Sequence, residues 1–397
     1  VSSTAALAEP VATENSVTKP ALSRVGGIDV LRGLSIIAVV IHHITLRIPL
    51  GKTAIGRLLP TWIINDLSWN GYYGVIVFFA ISGFLITTTC FRRWTSLDQV
   101  RLRQFYGMRF ARIAPMLLAL LIVLSLLQLL HVPMFTINPQ RASLPRALVA
   151  ALTFHVNWLE AHRGYLPANW DVLWSLSNEE MFYLFFPLVC VLTRSRLKLI
   201  CVLFGFVLLG PPARTVMTHN RLWAEYGYLS SMDAIAIGCL AAIFCDSFTL
   251  GPSARRTVKI AGAGLVGFAM VFRDAVQSLG LRDAGVDVTL LACGTALMLV
   301  SFTQAMEPGS RYTAPLRWFG RNSYEVYLTH MMAIFGLLAL VTRLDPVGWL
   351  APIWYATMVG LAGLLGASVA RYFSEPLNRK LRARKILAQS QAASTYI

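Results

Sequence analysis

The sequence predicts an all-α fold: a polytopic transmembrane helical bundle of about ten spans, with both termini cytoplasmic. Three observations carry this expectation. Hydrophobic residues make up 56% of the 397 residues and charged residues only 14%, far more apolar than a water-soluble domain of this length needs to be. Apolar stretches near the roughly 20 residues that cross a hydrocarbon core recur along almost the whole chain. The basic residues behind the net charge of +16 fall in clusters between those stretches, the pattern of inside loops rather than of a nucleic-acid-binding face.

Taken in order, residues 1–27 are rich in Ala, Ser, Thr and Val and have no basic segment followed by an apolar core. They read as a flexible N-terminal tail rather than a cleaved signal, so the first span, 30–49, directs insertion. Further spans are expected at 73–91, 113–131, 173–193, 199–216, 229–246, 259–272, 286–305, 321–341 and 351–373, within a membrane domain of 28–378 that a basic cytoplasmic tail, 379–397, follows. A shorter apolar stretch, 146–160, decides the orientation of everything after it. If it stays on one side, roughly 22 Lys and Arg lie inside against about 11 outside; if it crosses, the figures become about 14 and 19. The stretch is also short and carries His155, Asn157 and Glu160, so it reads as re-entrant or interfacial. Cys190, Cys201, Cys239, Cys245 and Cys293 lie in or beside apolar spans, and no CxxC pair or Cys/His cluster has zinc spacing. Neither a metal site nor a disulfide framework is expected.

Five stretches place polar groups where lipid would not tolerate them. In "DVLRGLSIIAVVIHHI", Arg32 and His43 are 11 residues apart, about 20° from three full turns, so they share one stripe of the first span while His42 points away by about 100°. That stripe must face protein or a water-filled cavity. His43 alone is equally explained by an interhelical hydrogen bond, and Arg32 by snorkelling. In "VFFAISGFLITT", Ser82 and Gly83 allow close helix packing. The loop that ends "RFARIAP" aims Arg109 and Arg112, three residues apart, into the membrane. It suits topology or anionic lipid, and equally the phosphates of a nucleotide. "WSLSNEEMFYLFFP" repeats Ser175, Glu179 and Tyr183 every four residues beside Glu180, presenting a carboxylate and a phenol on one face. N-terminal capping explains that spacing but not the burial. "GRNSYEVYLTH" carries Arg321, Asn322, Ser323, Glu325 and His330 into an apolar span, and so many polar segments in one bundle imply a shared polar cavity.

Together these stretches resemble the acyltransferase 3 family of bacterial integral-membrane O-acyltransferases. That family has an Arg and a His with ten residues between them in the first span, an SGF(L/V)I segment, an R-x-x-R-I-x-P segment, an S-L-S-x-E-E-x-F-Y segment and a late Y-L-x-H element. Here these are Arg32 and His43, "SGFLI" at 82–86, "RFARIAP" at 109–115, "SLSNEEMFY" at 175–183 and "SYEVYLTH" at 323–330. Met181 stands where the family usually has Gln. The likeness covers residues 28 to about 380.

The resemblance implies a multi-pass enzyme of the cell membrane. It would move an acyl group, acetyl foremost, from cytoplasmic acyl-CoA to a hydroxyl of a cell-surface glycan or lipid-linked sugar, without a metal. Acylation of a small secreted metabolite is the alternative, and a proton-coupled transporter a more distant one. Many relatives append an extracytoplasmic hydrolase-like domain; with the sequence ending at Ile397, the expectation is that the bundle alone handles the acceptor. His43 would act as general base, with Glu179 orienting its ring and Tyr183 beside them. Arg32, Arg109 and Arg112 would hold the phosphates of CoA, and Ser82, Ser175, Glu180 and His330 would contact substrate. Direct transfer and a transient acyl-His43 both remain open.

Overall fold

A computed structural model describes residues 25–383 apart from 95, 97, 98, 218, 307, 308, 346 and 347. Most of both expected tails lies outside the described residues. Within them the chain forms sixteen α-helices and no strand: α1 Gly26–Thr45, α2 Thr61–Arg93, α3 Leu102–Leu129, α4 Leu144–Leu152, α5 Val156–Arg163, α6 Ala168–Asp171, α7 Leu173–Thr193, α8 Arg196–Thr215, α9 Arg221–Tyr226, α10 Tyr228–Ser247, α11 Pro252–Val271, α12 Arg273–Ser278, α13 Asp287–Ala305, α14 Ala314–Arg321, α15 Ser323–Leu344 and α16 Ala351–Val369. The ten long helices coincide with the ten expected spans. Eight helical segments are long and apolar enough to cross a membrane. The other two long helices, α7 and α11, are diluted by Glu179 and Glu180 and by Arg255, Arg256 and Lys259 respectively.

The stretch 146–160 does not form a span. Ser143 caps α4 by accepting from the Arg146 N–H. The helix ends at Leu152, and Phe154, in the left-handed region at φ 57°, turns the chain before α5 begins. Pairings between helices confirm that the chain returns on the side it left. Tyr106 and Arg109 of α3 meet Leu184 and Glu180 of α7, so α3 and α7 are antiparallel. The segment between them, α4 to α6, therefore starts and finishes at one end of the bundle.

The same reading orients the other helices. Gly71 and Gly74 of α2 lie on His42 and on Ser35 and Val39 of α1, an antiparallel pair. Arg32 and His43 of α1 meet Ser323 and His330 of α15, a parallel pair. Tyr355 and Gly366 of α16 lie on Ile48 and Val326, so α16 runs back against α15, and the end of α16 lies level with the start of α1.

The core is held by close backbone approach. Gly83 of α2 lies on the Ile235 carbonyl of α10, and Gly238 of α10 lies on the Ala80 carbonyl of α2. A Cβ at either position would collide with main chain, which cannot rotate aside. The small residue in "SGFLI" thus sets the α2–α10 distance, and α2 then holds Ser82 at a fixed depth.

Gly83→Val should lower the stability of the detergent-solubilised protein by about 1–3 kcal/mol through overpacking, read as a reduced unfolding midpoint. Gly205→Val, where nothing lies within 4 Å of an added Cβ, should leave the midpoint unchanged.

Candidate active site

A cavity of about 290 Å³ lies between α1, α2, α3, α7 and α15. Nine of the residues singled out from sequence line it: Arg32, Ser82, Arg109, Arg112, Ser175, Glu179, Glu180, Tyr183 and Ser323. The one-face repeat of Ser175, Glu179 and Tyr183 accounts for α7's share of the wall. The remaining lining is largely apolar, from residues such as Val75, Phe78, Leu85 and Leu176, as suits a pocket for a flexible organic chain.

Each arginine is held differently. Arg32 donates from Nε and Nη2 to the Ser323 hydroxyl at 3.1 and 2.8 Å, which ties the lower half of α1 to the start of α15. Arg109 pairs with Glu180 at 3.2 Å, and its guanidinium carbon lies 3.6 Å from the centre of the Tyr183 ring. Its Nε is buried without a hydrogen-bond partner. Arg112, one turn further along α3, is exposed at the cavity edge. Between the arginines and the far end, the hydroxyls of Ser82 and Tyr183 are hydrogen-bonded to each other, and Tyr183 donates to Glu179 at 3.5 Å. At the far end Ser175 and Tyr327 share a 2.7 Å hydroxyl contact, and Tyr327 also donates to the Val172 carbonyl at 2.9 Å.

His43 and His330 lie just beyond this hydroxyl pair. The Tyr327 and His330 rings are 5.9 Å apart, and the two imidazoles 4.9 Å apart. The hydrogen bonds fix both tautomers. His330 Nδ1 faces the carbonyls of Tyr327 at 2.7 Å and Val326 at 3.2 Å, so it carries the proton and its Nε2 is an acceptor. That Nε2 lies 3.2 Å from His43 Nδ1, which also faces the Val39 carbonyl at 3.0 Å. His43 Nδ1 is therefore the donor in both contacts, and its Nε2 is left with a free lone pair. His42, by contrast, bonds the Ser68 carbonyl and packs on Gly71, a structural role.

The expected pairing of His43 with Glu179 is corrected here: the ring's side-chain partner is His330. Because α7 is antiparallel to α15, Glu179 lies about 6 Å below Ser175 while His330 lies about 4.5 Å above Tyr327. With Ser175 and Tyr327 level, this puts Glu179 roughly 10 Å from the histidines along the bundle axis. In the fold α7 begins under a layer made by α4 to α6, where Val156, Trp170 and Leu173 are fully buried. Tyr327 escaped the reading of single residues, although Ser323, Tyr327 and His330 recur at i, i+4 and i+7, the helical spacing that would have found it.

Fold and site define a multi-pass membrane protein whose arginine-edged cavity ends beside a histidine with a free basic nitrogen. The chain belongs to the family described as "Acyltransferase domain", which it matches over residues 25–372. It is similar to the O-acetyltransferase OatA of Staphylococcus aureus, 25% identical over 89% of this chain and 57% of that protein. It is also similar to the peptidoglycan O-acetyltransferase OatA of Listeria monocytogenes, 25% identical over 86% of this chain and 54% of that protein. The chain thus spans little more than half the length of these relatives. No solved structure matches it.

The ion pair between Arg109 and Glu180 gives a stability test. Glu180→Ala should lower the unfolding midpoint more than the double variant Arg109→Ala with Glu180→Ala, because the single change leaves the buried guanidinium without its ion-pair partner.

Proposed function

We propose that the protein is a membrane O-acetyltransferase. It takes an acetyl group from acetyl-CoA at the cytoplasmic end of the bundle and delivers it to a hydroxyl of a cell-surface glycan, peptidoglycan being the first candidate by analogy with the Listeria relative. The observation that carries this reading is the linear order of the groups: arginines at one end of the cavity, and the free Nε2 of His43 just past the other. The arginine end is the cytoplasmic one, and both termini face that side, because the cluster Arg92, Arg93, Arg101 and Arg103 lies there.

Arg112, Arg109 and Arg32 hold the phosphates of the donor, charge-assisted contacts for which the buried, unpartnered Nε of Arg109 is also suited. The pantetheine arm lies along the apolar wall past Ser82 and Glu179, and its thioester comes to Ser175 and Tyr327. His43 Nε2 takes the proton of the acceptor hydroxyl as the oxygen bonds to the thioester carbonyl carbon. The tetrahedral intermediate collapses with breakage of the C–S bond, and His43 returns the proton to the departing thiolate. The products are an O-acetyl ester and CoA thiol. While His43 is cationic, its Nδ1–H is held by the Val39 carbonyl and the His330 lone pair, so His330 is the positioning residue that Glu179 was expected to be.

Transfer from radiolabelled acetyl-CoA to soluble peptidoglycan fragments, measured with the purified protein, tests this directly. His43→Ala should cut kcat by about 100-fold or more, and His330→Ala should lower kcat while leaving both KM values near wild type. His42→Ala should cost stability more than rate; an equal loss of kcat for His42 and His43 would sink the assignment. Arg112→Ala should raise the KM for acetyl-CoA roughly tenfold with kcat little changed. The orientation is checked with single cysteines in a cysteine-free background and an impermeant thiol reagent on intact cells. Arg163→Cys should label and Lys198→Cys should not, and the opposite pattern would invert the bundle.

A further inference from the structure

The polar groups of the cavity nearest the histidines are two hydroxyls that the proton transfers through His43 do not use. Ser175 of α7 and Tyr327 of α15 both line the cavity, and the Tyr327 ring lies 5.9 Å from that of His330. The other polar side chains of the wall lie further down, and most are committed. Arg32 is held by Ser323, Arg109 by Glu180 and Ser82 by Tyr183, while the Tyr324 hydroxyl donates to the Ile113 carbonyl at 3.3 Å. The oxygen of a thioester whose carbonyl carbon faces His43 therefore falls beside Ser175 and Tyr327.

The two hydroxyls hold two protons between them, and one suffices for their mutual contact at 2.7 Å. The other rests on the Val172 carbonyl, 2.9 Å from the Tyr327 oxygen and 3.4 Å from the Ser175 oxygen. At rest, then, Ser175 donates to Tyr327 and Tyr327, the nearer donor, to Val172. Two rotations about C–O bonds change this order: Tyr327 turns its O–H to Ser175 Oγ, and Ser175 turns its own into the cavity. No heavy atom has to move, so a donor stands ready where charge develops on the thioester oxygen. Ser175 is buried, with Leu176 and Leu328 beside it in the wall, and in such surroundings a hydrogen bond to an anion is stronger than in water. The phenol behind it strengthens its donation further, because hydrogen bonds in a chain polarise one another.

We propose that Ser175 and Tyr327 form the oxyanion hole of the transfer, Ser175 donating to the thioester carbonyl oxygen and Tyr327 donating to Ser175. This rests on the function proposed above and adds to it the groups that stabilise the tetrahedral intermediate. As the acceptor oxygen, deprotonated by His43 Nε2, bonds to the carbonyl carbon, the C=O π pair moves onto the carbonyl oxygen and meets the Ser175 O–H. When that pair returns, the C–S bond breaks, the thiolate takes the proton from His43, and the two O–H bonds turn back to Tyr327 and Val172. Neither hydroxyl gives up its proton. Ser175 is thus a catalytic residue, and Tyr327 the residue that positions and polarises it.

Steady-state kinetics with acetyl-CoA and soluble peptidoglycan fragments, alongside the unfolding midpoint of each variant, test this. Ser175→Ala should lower kcat about 100-fold, the cost of losing one oxyanion donor. Both KM values should stay near wild type, because the donor acts on the charged intermediate rather than on the ground-state thioester. Ser175→Thr, which keeps the hydroxyl, should recover most of the lost kcat. Tyr327→Phe, which keeps the ring against His330, should lower kcat by roughly tenfold, the worth of one hydrogen bond. In the Ser175→Ala background it should cost little more, since Tyr327 acts through Ser175. If Ser175→Ala keeps the wild-type kcat, or its loss appears in KM or in a lowered unfolding midpoint instead, the oxyanion hole is wrong, and acetyl transfer by the wild-type protein still upholds the acetyltransferase reading. If the two substitutions multiply in full, the chain from Tyr327 through Ser175 is wrong. If the wild-type protein transfers no acetyl group, the hole and the acetyltransferase reading fall together.

Discussion

A guanidinium cannot be left alone among lipid-facing helices, and the way Arg109 is accommodated organises one half of this bundle. Glu180 neutralises it and Tyr183 covers its face, so α3 and α7 are fastened at one depth, antiparallel, with Ser175 and Glu179 turned to the same space. Arg32 does the equivalent for α1 and α15 through Ser323. The cavity is what remains between two such fastenings. Its polar wall exists because each charge in it needed a neighbour, and its apolar wall because the helices between had none to offer.

The histidine pair depends on that framework. Val39, Val326 and Tyr327 each contribute a carbonyl to an imidazole N–H one helical turn away, and those local bonds, not a distant carboxylate, determine which nitrogens are protonated. A neutral imidazole as the partner of His43 differs from the usual carboxylate in one respect that matters within a membrane. It orients the ring and accepts from it without adding a buried negative charge that would itself require neutralising. Glu180 is kept lower down, paired with Arg109.

The short helices α4 to α6 look like mere connection, yet they carry two consequences. They return the chain to the side from which it came, which sets the direction of α7, and they cover that end of the bundle, so that α7 starts below the surface with Leu173 fully buried.

Much of this was written in the sequence because helix geometry is local. Hydropathy placed all ten long helices, the charge balance kept 146–160 from crossing, and a rotation of about 100° per residue put Arg32 with His43 and Ser175 with Glu179 and Tyr183. Periodicity within a helix needs no knowledge of its neighbours. Depth does: which residue of one helix lies level with which residue of another depends on where each begins and how closely the backbones approach. Contacts such as Gly83 on Ile235 and the roof over α7 decide that, and both are tertiary. So the sequence could name His43, Glu179 and His330 as polar groups facing one interior, but only the packed bundle could show that His43 meets His330, with Glu179 some two turns below.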